Sequence, residues 1–277
     1  MTEAKIPLAG VIGCPISHSK SPQLHNHWLG AYGIAGHYVP MHVEPDDLEA
    51  VIRMMPRMGF VGAGVTLPHK QAIMSIADKV TDRAKLMGAA NTLIFREDGS
   101  VVADNTDGYG FITNLHQGAP DWDPKSGPAT VFGAGGASRA VVASLIEAGV
   151  PEVRLTNRTQ AHADEIAKMF GKKIVVVEWL QAGNIVEDAA LIVNTTSLGM
   201  EGQRRLRVPL DGLHSGIVVT DLVYTPLKTE LLVKAEEAGC ITVDGLGMLL
   251  HQAVPGFERW FGHRPDVDDA ARDAALR

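Results

Sequence analysis

The sequence predicts an α/β protein of two domains, and three observations predict it. At 277 residues the chain sits where a single hydrophobic core stops growing. Short apolar runs alternate with helical stretches along most of its length, the pattern of strand–helix layers with mainly parallel sheets. The pattern then restarts at Ala129, where the buried run Ala129-Thr130-Val131-Phe132 leads into a glycine-rich turn and an apolar helix. Composition closes off other classes. Hydrophobic residues make up 45% and charged ones 21%, as in a soluble globular protein. No apolar run approaches the roughly 20 residues of a membrane span. Met1-Thr2-Glu3-Ala4-Lys5 lacks the basic-then-apolar layout of an export signal. The two cysteines, Cys14 and Cys240, form neither a metal-ligand spacing nor a disulfide framework, which points to a reducing cytoplasm. A net charge of −7 argues against nucleic acid as a partner, although local basic groups and helix N-termini still allow an anionic substrate.

Taken in order, Leu8–Gly13 reads as a first strand. Ser21 is a good N-cap and Pro22 suits the first helical position, so a helix starts there. His37–Val43 reads as a strand, Pro45–Met55 as a helix and Gly62–Leu67 as a strand, with Pro68 opening the next helix. A helix is expected over Tyr109–Leu115. After Ala129–Phe132 the apolar helix runs to Gly149, and Glu152–Thr156 is the next strand. Ala161–Met169 is helical; Lys173–Val177, Leu191–Asn194 and Val218–Leu222 are later strands. Met248–Phe261 reads as a single late helix that returns to the N-terminal half. The expected domains are 1–107 plus 248–277 for substrate and catalysis, and 108–247 for a nucleotide.

The turn Gly133-Ala134-Gly135-Gly136-Ala137-Ser138 lies between a strand and a helix, the context that makes a dinucleotide-binding loop credible. Its glycines permit close approach of backbone N–H groups to a pyrophosphate, and the helix N-terminus adds partial positive charge. The third small position is Ser138 rather than glycine. At the end of the next strand an NAD enzyme carries an acid for the ribose 2′-hydroxyl. Here the segment is Thr156-Asn157-Arg158-Thr159, without an acid and with a guanidinium that matches a 2′-phosphate. NADP is therefore expected rather than NAD, the competing reading of Arg158 being a solvated surface residue.

In Val65-Thr66-Leu67-Pro68-His69-Lys70, a helix opened by Pro68 places His69 and Lys70 at the positive end of its dipole. That is an unfavourable place for a cation and a useful one for proton transfer; the plain alternative is a lysine reaching into solvent. In Asp104-Asn105-Thr106-Asp107-Gly108, Asp107 reads equally as a helix cap or a catalytic acid, and Asp104 as a turn residue.

Several of these segments resemble the shikimate dehydrogenase family. Gly13-Cys14-Pro15-Ile16-Ser17-His18-Ser19-Lys20-Ser21-Pro22-Gln23-Leu24-His25-Asn26 is similar to its N-terminal signature, and Val65-Thr66-x-Pro68-x-Lys70 to its lysine motif. Gly88-Ala89-Ala90-Asn91-Thr92, Asp104–Gly108, the nucleotide loop, Asn157-Arg158-Thr159 and Asn194-Thr195-Thr196-Ser197-Leu198-Gly199-Met200 follow in family order. So do Asp221-Leu222-Val223-Tyr224-x-Pro226 and Gly247-Met248-Leu249-x-x-Gln252-Ala253. The resemblance implies an N-terminal α/β substrate domain and a Rossmann-type NADP domain with a parallel sheet. It implies reversible NADPH-dependent reduction of 3-dehydroshikimate to shikimate, on the chorismate pathway of aromatic amino acid biosynthesis. Ser19 and Ser21 would bind the substrate carboxylate; Thr66, Asn91 and Gln252 the ring hydroxyls, with Tyr224 nearby. Lys70 and Asp107 would be the catalytic pair. Gly133, Ala134, Gly135, Gly136, Ala137, Ser138, Asn157, Arg158, Thr159 and Thr195 would hold the cofactor, with Gly245 and Met248 beside the nicotinamide.

The chain departs from the family pattern at a few positions. Gly64 stands where the family has asparagine, His69 where it has an apolar or aromatic residue, and His162 where a second basic residue is common. The stretch Glu201–Arg207 is unusually basic. Quinate, aminoshikimate or another polyhydroxylated ring acid therefore stays open as substrate, as does a ligand-sensing module without turnover, against which the intact Lys70 and Asp107 argue. His18, His25 and His27 lack a cysteine or carboxylate at ligand spacing, so no metal is expected. A monomer or homodimer is expected.

Overall fold

The computed structural model describes residues 6–277; the reading of Met1–Lys5 as lacking an export signal lies outside the described residues. The chain divides into two compact units, Met1–Thr106 with Leu250–Arg277, and Asp107–Leu249.

The first unit opens with β1 (Leu8–Gly13), α1 (Ser21–Ala31), β2 (His37–His42), α2 (Leu48–Met54) and β3 (Phe60–Val65). It continues with α3 (Ile73–Ile76), β4 (Lys79–Val80), α4 (Asp82–Met87), β5 (Thr92–Phe95) and β6 (Val101–Asp104). Its sheet runs β2-β1-β3-β5-β6-β4; β1 pairs parallel with β2 and β3, whereas β5 is antiparallel to both neighbours. One core gathers Ile12, Leu48, Ile52, Val65, Ile73 and Leu93. Elsewhere in this unit the aromatic set His25, Trp28, Tyr38, Phe257 and Trp260 packs together. Gly62 is required there: a Cβ would fall on Trp260, whose indole N–H donates to the Leu93 carbonyl at 2.9 Å.

The second unit contains α5 (Asp107–Gly118), β7 (Ala129–Phe132), α6 (Gly136–Ala148), β8 (Val153–Asn157), α7 (Gln160–Phe170) and β9 (Ile174–Glu178). Then come β10 (Leu191–Asn194), β11 (Val218–Asp221), α8 (Glu230–Glu237), β12 (Ile241–Val243) and α9 (Gly245–His251). The chain ends in the first unit with α10 (Val254–Phe261) and α11 (Asp269–Leu276). The sheet order β12-β11-β10-β7-β8-β9 is parallel throughout. This is the doubly wound dinucleotide-binding order, reversing between β7 and β10; its first half is βαβαβ, whereas a loop rather than a helix joins β10 to β11. β7 and β10 are buried along their whole length, which explains why all but Thr130 and Asn194 in them are apolar.

The structure changes four local expectations. Ser21 is the first residue of α1 rather than its cap; Lys20 holds the cap position, and the Ser19 hydroxyl oxygen accepts the Ser21 N–H at 3.4 Å. Pro68 opens no helix: residues 67–72 form turns and α3 starts at Ile73. The segment is pinned instead by His69, buried and hydrogen-bonded through Nε2 to the Val43 carbonyl at 2.8 Å. Lys70 therefore lies in a turn and not in the first turn of a helix. The expected late helix is two helices, α9 and α10, because Gln252-Ala253 interrupts it. Asp104 is no turn residue but the last residue of β6, fully buried.

Asp221 ends β11 with its carboxylate buried, accepting from Asn194 Nδ2 at 2.9 Å, Thr229 Oγ1 at 2.7 Å and the Val223 N–H at 3.0 Å. Burial pushes its pKa up to about 6, against the smaller opposing pull of these donors. A folded pKa above the ordinary 3.8 contributes stability that is present below about pH 4 and lost as pH rises through 6. Relative to wild type, Asp221→Asn should thus gain roughly 2–3 kcal/mol between pH 4 and pH 7. Urea unfolding of both proteins at the two pH values measures this; a constant gap would remove the assignment.

Candidate active site

In the first unit Ser19, Thr66 and Asn91 lie on segments beside β1, β3 and β5, Ser21 opens α1, and Gln252 lies between α9 and α10. Ser19 and Ser21, both half-buried, stand at the start of α1, where early helical N–H groups lack intrahelical partners. Gly13 is required beside them, since a Cβ would meet the Thr66 Cγ2 at 2.6 Å. Thr66 donates its N–H to the Ile12 carbonyl at 2.9 Å, extending the β1–β3 pairing by one residue. The backbone carbonyl of Lys70 accepts from Ala90 at 2.8 Å, and that of Asn91 from Val65 at 2.8 Å. The Lys70 turn is thereby tied to the Asn91 segment. Ser19 also lines a cavity of about 300 Å³ with Ile16, Pro22, Gln23 and His42, but Thr66, Lys70 and Asn91 do not line it.

Asn91 and Gln252, far apart in sequence, are in direct contact: Asn91 Nδ2 donates to Gln252 Oε1 at 2.9 Å. Asn91 Oδ1 accepts from Thr92 Oγ1 at 2.9 Å and from the Thr106 N–H at 3.0 Å. Thr106 Oγ1 also donates to the Gln252 carbonyl at 2.8 Å. Asn91 and Thr106 are buried. Thr106 thus orients two predicted ligand residues. The sequence placed it in the Asp104–Gly108 motif but gave no signal for this role.

Gly64 is not an empty position. A Cβ there would come within 2.9 Å of the Tyr38 hydroxyl, which occupies the space. Tyr38 is buried, stacked on His25 at 4.0 Å, with Ser21 and the Gly64 backbone beside its hydroxyl; burial pushes its pKa up. Tyr38 is a further residue that sequence reasoning missed, because nothing local links positions 38 and 64.

In the second unit Asp107 is the first residue of α5 and half-buried. The glycine-rich turn follows β7. Gly133 has φ +106°, and a Cβ would strike Thr195 Oγ1 and Thr196 Cγ2 at 2.7 Å, so only glycine fits. At Gly135 and Gly136 a Cβ would meet nothing within 4 Å, leaving the turn open above the N-terminus of α6, which carries no side-chain cap. Ala134 and Ser138 are buried, Ala137 is exposed, and among the described residues the Ser138 hydroxyl has no partner. Asn157 joins the turn to the end of β8: its Oδ1 accepts the Ala134 N–H at 3.2 Å and its Nδ2 donates to the Thr159 carbonyl at 2.8 Å. Thr195 Oγ1 donates to the Phe132 carbonyl at 2.9 Å. Arg158 and Thr159 are exposed at the same edge. An open, uncapped glycine turn with a guanidinium and no acid beside it fits NADP. Gly245 packs so closely on the Leu222 carbonyl that a Cβ would lie 2.4 Å away; Met248 packs partly buried on the unit's core, and Tyr224 is half-buried.

Family models match three stretches of the chain. They are the shikimate dehydrogenase substrate binding domain over residues 11–93, shikimate / quinate 5-dehydrogenase over 121–201, and the shikimate 5′-dehydrogenase C-terminal domain over 245–275. A shikimate dehydrogenase (NADP(+)) of Ruegeria sp. (strain TM1040) is 81% identical over 276 residues, covering 100% of both chains. The chain belongs to the shikimate dehydrogenase family. Among solved members of comparable fold is the shikimate 5-dehydrogenase of Thermus thermophilus in complex with NADP(H) and shikimate. It is 34% identical, with a TM-score of 0.86 over 98% of this chain and 99% of its own. The quinate dehydrogenase of Corynebacterium glutamicum in complex with NAD is 31% identical, with a TM-score of 0.87 over 97% and 98%.

Two further features of the first unit have no role in the site expected from the sequence. Cys14, His42 and Glu44 bring donor atoms within 4.8 Å of one another, a convergence the sequence did not suggest. They already serve each other: His42 Nε2 and Glu44 Oε1 are 2.9 Å apart, and the Cys14 thiol donates to Glu44 at 3.5 Å. Burial and the neighbouring Glu44 carboxylate push the Cys14 thiol pKa up. His25 packs within the aromatic set; burial lowers its pKa to about 3 and keeps the ring neutral. Among the described residues, no helix is long and apolar enough to cross a membrane.

Proposed function

We propose that this member of the shikimate dehydrogenase family catalyses the reversible, NADP(H)-dependent interconversion of 3-dehydroshikimate and shikimate. The observation that carries the reading is full-length 81% identity to a protein bearing that name. The Asn91–Gln252–Thr106 network supports it, because it presents preoriented polar groups to a polyhydroxylated ring. Ser19 and Ser21 take the ring carboxylate at the start of α1; Thr66, Asn91 and Gln252 take the hydroxyls, with Tyr224 as a further contact. When bound, NADPH supplies the hydride chemistry. On the protein's side, the Lys70 ammonium stabilises the negative charge that develops on the ketone oxygen and delivers its proton to it; the Asp107 carboxylate then accepts a hydrogen bond from the hydroxyl so formed, and the pair regains the proton from water. In the reverse direction the same pair takes the proton from the ring hydroxyl. Both cysteines remain free thiols, in keeping with a reducing cytoplasmic setting.

The test is steady-state oxidation of shikimate and of quinate, each with NADP and with NAD, followed at the nicotinamide absorbance. Fast turnover of shikimate with NADP is expected. A folded, NADP-binding protein that turns over quinate but not shikimate would replace this substrate with the other ring acid.

A further inference from the structure

The loop after β10 is held in a fixed shape by its own backbone. Gly199 N–H donates to the Arg204 carbonyl at 2.8 Å, Gln203 N–H to Met200 at 2.9 Å, and Glu201 N–H to Thr225 at 2.9 Å. These bonds hold Arg204, Arg205 and Arg207 near the C-terminal end of the parallel sheet. Together with Arg158 and Trp179 the three arginines line one cavity of about 590 Å³. The sheet order β10-β7-β8 sets the loop and Arg158 two strand spacings apart, about 10 Å. Arginine side chains extended from the two sides can meet around one phosphate across that gap. Arg205 has a partner, Glu230, at 3.6 Å. Among the described residues Arg158, Arg204 and Arg207 have no ion pair. Such a group of like charges is unfavourable until an anion joins it. On the β8 side Arg158 stands alone, since the first turn of α7 offers only Gln160, Ala161 and His162.

We propose that Arg204 and Arg207 complete the cofactor's 2′-phosphate site, joining Arg158 around the phosphate, while Arg205 stays with Glu230. The proposal rests on the NADP reading above and adds to it the residues of a second loop. A phosphate monoester dianion offers three oxygens to a guanidinium cluster, whereas a bare 2′-hydroxyl offers these cations nothing comparable.

The experiment is calorimetric binding of 2′,5′-ADP and of 5′-ADP to the full chain, which needs no turnover. The proteins are wild type, the Arg204→Ala/Arg207→Ala double variant, Arg158→Ala, and Arg96→Ala as an exposed control in the other unit. Wild type should prefer 2′,5′-ADP. The double variant should lose at least about tenfold on 2′,5′-ADP and less than about twofold on 5′-ADP, with a shallower salt dependence. Arg158→Ala should keep a residual preference, and Arg96→Ala the full one. A double variant that retains the wild-type preference overturns the proposal, and so does an equal loss on both ligands, which would mark the loop as a general anion patch. A wild type without preference would instead remove the NADP reading itself.

Discussion

Lys70→Met should lower turnover by about three orders of magnitude or more while leaving the fold intact. Methionine keeps an unbranched apolar stem of similar reach and removes only the ammonium. The backbone contact that ties this turn to the Asn91 segment uses the Lys70 carbonyl, so it survives the substitution. The loss should appear in kcat and kcat/KM together, with KM nearly unchanged, because charge on the reacting oxygen develops only towards the transition state. Asp107→Ala should behave alike with a smaller loss, about two orders of magnitude, plus a few tenths of a kcal/mol of stability, since an acid at the first position of α5 also suits the helix dipole. Steady-state kinetics beside thermal unfolding separate the two roles. Near-normal turnover in both variants would sink the catalytic pair; a fall in turnover that merely tracks loss of folded protein would reduce both residues to structure.

Legibility in the sequence followed how far each signal reaches along the chain. β1, β7 and β10 appear over the residues expected of them, because strands buried on both faces are predominantly apolar runs flanked by turn residues. The glycine turn was legible for the same reason: its strand, its glycines and its helix are adjacent. Gly149 marked the end of α6, where it takes φ +102°. Signals that depend on distant partners were not legible. Pro68 fits a helix start as well as a turn, and what decides is the His69 bond to Val43, 26 residues away in sequence. The contact of Asn91 with Gln252 spans 161 residues. The roles expected of them came from the resemblance, and their proximity from the fold. Tyr38 shows the same limit: the departure at Gly64 reads as a missing side chain until the tyrosine hydroxyl is found beside it.

The largest effect on stability is expected at a residue whose sequence context suggested only a turn. Asp104 is fully buried at the end of β6. Its Oδ2 accepts from Arg83 Nη2 at 2.8 Å and from Arg259 Nη1 at 2.8 Å; its Oδ1 accepts from Thr81 Oγ1 at 2.7 Å and from the Asn105 N–H at 2.8 Å. One carboxylate therefore joins β6, α4 and the C-terminal helix α10 of the first unit. Burial alone would raise its pKa, but the Thr81 and Arg259 hydrogen bonds and the Arg83 charge outweigh it and hold the group below its ordinary 3.8. Asp104→Ala leaves four donors without their acceptor. Both arginine side chains keep substantial water access, at 53% and 38% exposure, which tempers the loss. The expected destabilisation is still roughly 2–4 kcal/mol at pH 7. A lowered folded pKa contributes stability that is present above about pH 4 and lost as pH falls through the folded value, so the gap to wild type should close in acid. The same carboxylate accepts the N–H of Asn105, next to Thr106 and its bonds to Asn91 and Gln252. Asp104→Ala should therefore also raise KM for the ring acid in the fraction that stays folded. Urea unfolding at pH 7 and pH 3.5, with KM at saturating NADP, tests both consequences. A change below about 1 kcal/mol at pH 7 would mean that water replaces the carboxylate at no great cost and that α10 is held by Phe257 and Trp260 instead.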